Sequence, residues 1–360
     1  MVTVKKNTHF PNFENGDEPA TRLPPVKELV KRLTEAYGPS GHEQIIREII
    51  RSEIKNLSDE IRVDALGNLI ARKKGTGATP RKKIMLAAHM DEIGVMVTHV
   101  DEKGFLRFAP IGGVFPLTLY GHRVRFGSGT IGVIGREKKD KDLRSTDIKM
   151  DQLFIDVGVQ DPANHPLQVG DAAGFWRDFA DLGDRMIGKA MDDRIGCAVL
   201  IQTMRELKKS PHDVFFVFTV QEEVGVRGAT TSTFGIQPDI AIAVDVTDTG
   251  DTPEAGTMSV GLGKGPAIKV KDLGMLAHPG VKNLLVTTAQ EARLPYQLEV
   301  LTVGSTDAMA MQVSREGIPT GVVSIPARYI HSPSEMVDGE DVQNSVKLLV
   351  SLLAKPIRLE

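Results

Sequence analysis

Three stretches of the chain are apolar almost without interruption, and each runs straight into residues that bind hard or borderline cations. IMLAAHMDE leads into His89 and Asp91, FFVFTVQEE into Glu222 and Glu223, and IAIAVDV into Asp245. A run with no polar alternation must be covered on both faces, which predicts buried strands of a doubly wound α/β sheet and not half-exposed strands of a sandwich. In open sheets of that kind the functional crevice lies outside the carboxyl ends of the strands. Residues far apart in sequence are therefore expected to converge there.

The remaining texture agrees with this class. Pro24 and Pro25 open an amphipathic helix, PPVKELVKRLTEAY, that stops at Gly38 and Pro39. Ser40 reads as the cap of a second helix through IIREIIRSEI, and RVDALGNLIARKK as a strand pair turning near Gly67 and Asn68. From about residue 93 to 182 the pattern changes to short alternating segments such as HRVRFGSGTIGVIG, separated by glycine, proline and charged turns. The expected organisation is a catalytic domain in two segments, 1–92 and 183–360, interrupted by an inserted all-β domain over 93–182. Within the insertion, REKKDKDLRSTDIKMD is read as a solvated loop. Helical and strand patterns alternate again after Asp184, through IGCAVLIQTMRELKK and on to a last helix near Val342 to Leu353.

A length of 360 residues suits this division, since single cores rarely keep growing beyond about 250–300 residues. Lysine and arginine number 44 against 47 aspartate and glutamate, a formal charge of −3 that predicts no attraction to nucleic acid or anionic lipid. The single cysteine, Cys197, excludes an internal disulfide, fits a reducing cytoplasmic compartment and is expected to be a small core residue. The polar leader MVTVKKNTHFPNFENGDEP has neither a signal peptide's apolar stretch nor a membrane anchor's. GLGKGP at Gly261 to Pro266 lacks the spacing of a phosphate loop and is read as a turn, or at most as backbone lining a pocket.

Each polar strand end has a structural explanation when taken alone. The histidine could be hydrogen-bonded, the glutamates could be solvated, Asp192 and Asp193 could cap the helix near Arg194, and His331 could be loop surface. Jointly they supply imidazole nitrogen and carboxylate oxygen in the proportions that a two-metal hydrolase needs, including a carboxylate to bridge the ions. Successive side chains at a strand end diverge, so Glu223 is assigned to metal and Glu222 to the general base.

HMDEIGVMV, GKAMDDRIG, QEEVGVRGA, the Asp245 strand end, GSTDA and RYIHSPSE together resemble the M42 family of metallo-aminopeptidases, in order and over nearly the whole chain. The resemblance implies His89, Asp192 as bridge, Glu223, Asp245 and His331 as ligands of two divalent ions, zinc or cobalt with manganese a third option. It alone selects Asp192 over Asp193, and it makes Asp91 the acid that fixes the His89 tautomer. It also implies a PDZ-like inserted domain that drives assembly into dimers and tetrahedral dodecamers, and short peptides as substrates. Thr306 and Asp307 in GSTDA either lie near the site or cap the following helix. The rival readings are a two-metal deacylase or carboxypeptidase and, from another class, a non-catalytic assembly protein that retains the fold.

Overall fold

The computed structural model describes residues 25–137, 148–159 and 161–359. The amino-terminal leader, Pro24 and most of the charged stretch 136–151 lie outside the described residues. Among the described residues no helix is long and apolar enough to cross a membrane.

An eleven-stranded mixed sheet forms the larger body. Its centre is four parallel strands in the spatial order Asp213–Thr219, Lys83–His89, Ile240–Thr247 and Thr320–Arg328. The uninterrupted apolar sequence has a direct cause. Ile84, Leu86 and Ala88 pack on one face, against the helices Pro25–Thr34, Gln44–Ile54, Met191–Glu206 and Gly339–Leu353. Met85 and Ala87 pack on the other, against the helices Arg227–Ile236 and Ala308–Gln312. Fully burying a side chain of this size stabilises by about 1.5–3 kcal/mol, so both faces reward apolar residues at every position. The hairpin Glu60–Val63 and Leu69–Lys73 extends one side antiparallel, as its turn residues predict.

A second body, a closed six-stranded barrel, runs in the order Gly94–Val100, Leu106–Ile111, Leu153–Asp156, Ile131–Arg136, Arg123–Phe126 and Ala172–Phe175. It has its own core around Val95, Phe126, Ile134 and Ile155. The chain has returned to the large sheet by Ala180–Asp181, which pairs with Arg185–Gly188.

Two local expectations are corrected. Ser40 does not cap the second helix, whose N-cap is Glu43 without a side-chain bond; the Ser40 hydroxyl instead donates to Asp91 Oδ2 at 2.6 Å. The glutamate pair does not end a strand either, because that strand stops at Thr219 and Gln221 adopts a positive φ of 57°. Glu222 and Glu223 belong to the turn that follows. GLGKGP is a turn whose Gly263 and Gly265 amides donate to Asp341, which ties it to the last helix. Cys197 is fully buried, its thiol donating to the His89 carbonyl, and burial raises its pKa well above the ordinary range.

Candidate active site

Sheet register brings the strand ends together. Thr219 lies level with His89, and Ala243 pairs with Ala87, so Asp245, two residues further on, reaches the same level as His89. The helix Met191–Glu206 supplies the next acids at its start, where Asp192 and Asp193 depart from helical φ/ψ. His331 arrives from the loop after Thr320–Arg328, itself in a positive-φ conformation at 61°.

The five side chains expected as ligands and Glu222 all line one cavity of about 560 Å³. Asp192 stands at the middle of them. Its Oδ1 lies 2.9 Å from His89 Nε2 and its Oδ2 lies 3.4 Å from His331 Nε2. Glu223 Oε2 is 3.3 Å from the same His331 nitrogen, while Glu222 Oε2 and Asp245 Oδ1 are each 4.0 Å from His89 Nε2. Asp193 differs in its bonding. Its Oδ1 accepts from the Gly196 amide and its Oδ2 from the His89 amide, so both oxygens are held by backbone. The cap expected of the Asp pair is therefore supplied by Asp193.

A buried carboxylate orders the site from behind. Asp91 is fully buried, its Oδ1 accepting from the Glu222 amide at 3.0 Å and its Oδ2 from the Glu223 amide at 3.2 Å, beside the Ser40 hydroxyl. Its Oδ1 also lies 3.5 Å from His89 Nδ1, which leaves Nε2 facing the cavity. The Asp91 backbone carbonyl lies nearer still to Nδ1, at 3.2 Å, so one residue orients the imidazole through its carbonyl and carboxylate while its carboxylate anchors the turn that presents both glutamates. The divergence of Glu222 and Glu223 comes from this anchored turn and not from strand pleat.

Sequence reading passed over Glu335, although RYIHSPSE contains it. Its carboxylate accepts the Asp192 amide at 3.0 Å and the His331 amide at 2.9 Å, tying two segments together. It also missed Gly112 and Gly113, which precede the barrel's Arg123–Phe126 strand. A Cβ on Gly113 would lie 2.5 Å from His331 Nδ1, and one on Gly112 would lie 3.0 Å from Glu223 Cβ. The paired glycines in IGGV are the sequence signal of that close approach. In GSTDA the Thr306 hydroxyl accepts the Ala308 amide, whereas Asp307 makes no cap bond and accepts from Thr219 Oγ1 at 2.5 Å below the strand ends.

Electrostatics show what the cluster lacks. Burial pushes the Glu222, Glu223 and Asp245 carboxyls up, and neighbouring acids push the same way. Burial works against a charged His89, yet Asp192, Asp91 and Glu222 carry its pKa well above the imidazole range. His331 is likewise raised to about 12, against the effect of its burial, by Asp192 and Glu223. Two imidazoles facing this many buried carboxylates leave negative charge uncompensated, the condition a divalent cation relieves. Donor atoms of His89, Asp192 and Glu223, and of His89, Asp193 and Asp245, lie within 4.8 Å of one another. This nitrogen and oxygen set fits zinc or cobalt chemistry.

Comparison with known proteins gives the same direction. The M42 glutamyl aminopeptidase family model matches residues 67–348. A relative in Acetivibrio thermocellus is 50% identical over 328 residues, 91% of this chain and 98% of its own length. The aminopeptidase APDkam598 from Desulfurococcus kamchatkensis superposes with a TM-score of 0.87 at 41% identity, covering 91% of this chain and 94% of that one. The TET1 peptidase of Pyrococcus horikoshii, described as assembling into a tetrahedron or a large octahedral shell, superposes with a TM-score of 0.83 at 33% identity, over 92% of this chain and 100% of that one.

Proposed function

The chain belongs to the M42 glutamyl aminopeptidase family of peptide hydrolases, and from that premise we propose that it removes amino-terminal residues from short peptides at the cavity described above. His89, Asp192, Glu223, Asp245 and His331 would hold two divalent ions, with Asp192 between them. The observation that carries this reading is the division of the Asp192 carboxylate, one oxygen turned to each histidine. Bound ions would supply Lewis acidity at the scissile carbonyl and make water easier to deprotonate.

The remaining work falls to protein side chains. Glu222 is suited to proton transfer because its carboxylate is half-buried, faces the cavity and accepts no hydrogen bond among the described residues, while desolvation raises its affinity for a proton. It takes the proton of the attacking water and returns it to the leaving amine. Asp91 keeps the His89 ring turned so that Nε2 faces the cavity, as carboxylates behind metal-binding histidines do.

In the same proposal the 93–182 segment is an inserted, PDZ-like domain that mediates homo-oligomerisation, from dimer to tetrahedral dodecamer, between catalytic segments 1–92 and 183–360. Exposed Leu117 and Tyr120 support an association surface there. A cytoplasmic location is part of the same proposal, and the lone buried thiol supports it as compatible with a reducing compartment.

Glu222→Gln tests the assignment. The variant is expected to bind metal as the parent does and to lose about 10²–10⁴-fold in kcat, followed with aminoacyl anilides alongside metal analysis. Turnover within a few-fold of the parent would remove Glu222 from the role.

A further inference from the structure

The aminopeptidase reading leaves open which first residue the cavity accepts, and the inference below rests on that reading. Away from the acid cluster the cavity is walled by Val246, Leu301, Val303, Met309 and Ile330. Among its described lining residues the one lysine or arginine is Lys269. Its state decides whether the pocket can hold an acidic side chain.

Lys269 is not available to a substrate. It lies on the strand Ala267–Lys271, in register with Glu299 on the parallel strand Gln297–Val300. Its ammonium is 2.9 Å from Glu299 Oε1 and 3.5 Å from Asp272 Oδ2, and all three side chains are at most 1% exposed. Glu299 Oε1 also accepts from Thr247 Oγ1 at 2.8 Å, while Glu299 Oε2 and Asp272 Oδ2 have no hydrogen-bond partner. Two carboxylates therefore more than balance one ammonium. An acidic substrate side chain would meet no free cation there. A basic one is screened from the two buried carboxylates by Lys269 itself.

We propose that this chain selects peptides whose first residue is uncharged and apolar, of leucine or methionine size, and that the Glu299 partnership of Lys269 is the device that rejects an acidic first residue. The family's glutamyl description would then not describe this member. Burying an unpaired charge is costly, whereas an apolar side chain gains by contact with the five wall residues.

The test is a panel of leucyl, methionyl, glutamyl and lysyl anilides with metal-replete protein. Leucyl and methionyl substrates are expected to exceed glutamyl and lysyl ones by at least about 30-fold in kcat/KM. Freeing the lysine with Glu299→Gln should raise the glutamyl-to-leucyl ratio by about tenfold or more. Val303→Lys, at an exposed position on the cavity wall that disturbs no packing, should shift the ratio the same way even if Glu299→Gln does not fold. A parent enzyme that prefers the glutamyl or lysyl substrate overturns the inference and leaves the aminopeptidase reading intact. An unchanged ratio in the folded variants overturns the role of the pair. Hydrolysis of none of the free-amine substrates overturns the aminopeptidase reading, and the inference with it.

Discussion

The central sheet and the barrel use similar residues for opposite ends. Along Lys83–His89 every residue after the first is buried, whereas along Ile131–Arg136 burial alternates, with Ile131 and Val133 exposed and Ile134 inside. Two-sided burial leaves a strand place for polar chemistry only near its carboxyl end. Functional groups in the sheet are therefore forced into one plane, at the crevice. The barrel wall has a wet side along its whole length, so it can offer surface without organising a site. The proposed division of catalysis and association between the two bodies thus matches how many faces of each strand are covered.

The comparison can be broken by damage that fails to grade with distance from the strand ends. After Glu222→Gln, the largest effect is expected from Asp91→Ala, which removes the acceptor of two backbone amides and the Ser40 hydroxyl and leaves His89 Nδ1 only the residue's backbone carbonyl. Metal affinity, read by calorimetric titration, should fall by about 10–100-fold. Unchanged affinity would mean that the sheet ends are not ordered from behind. Gly113→Ala comes next, because the added methyl would stand 2.5 Å from the His331 ring. Displacing that ring should lower kcat/KM by about tenfold while the fold persists in circular dichroism.

Removing metal sharpens the division further. Chelation should lower the melting temperature by about 5–10 °C, since a ligand bound only to the native state adds to its stability. The one tryptophan, Trp176, follows the barrel's last strand and stacks under Arg123 at 4.5 Å, so its emission reports the barrel. At 25 °C that emission should not change on chelation. Arg123→Ala gives the smallest effect: a shifted Trp176 emission, a stability loss of about 0.5–1 kcal/mol by denaturant titration, and unaltered kcat/KM. A fall in activity would show the two bodies to be more tightly joined than their separate cores suggest.

What was legible in the sequence follows the same physics. His89 could be found because a buried parallel strand must be apolar until it ends, and it marks that end; Asp245 stood out as a lone carboxylate in an apolar run, although its strand continues two residues further to Thr247. Glu222 and Glu223 were found beside a strand but placed by the wrong geometry, since their turn is shaped by an acceptor more than 130 positions away in sequence. The choice of Asp192 over Asp193 came from the family resemblance alone, because adjacent aspartates at a helix start read alike and the backbone bonds that occupy both Asp193 oxygens are set only on folding. Ser40 and Glu335 were illegible as site residues because a short polar side chain reads as a cap or as surface until its partner is known. The inserted barrel was visible as a change of texture, but the reach of Gly112 and Gly113 into the site depends on how the two bodies meet.

That reach has a practical consequence for anyone recombining relatives of this chain. Gly113 and Phe115 line the cavity although they come from the segment between barrel strands. A chimera that exchanges the barrel to alter assembly would carry a piece of the substrate pocket with it. If the barrel mediates assembly as proposed, quaternary structure and substrate choice would be inherited as one unit, and a library built by swapping barrels would sample both together.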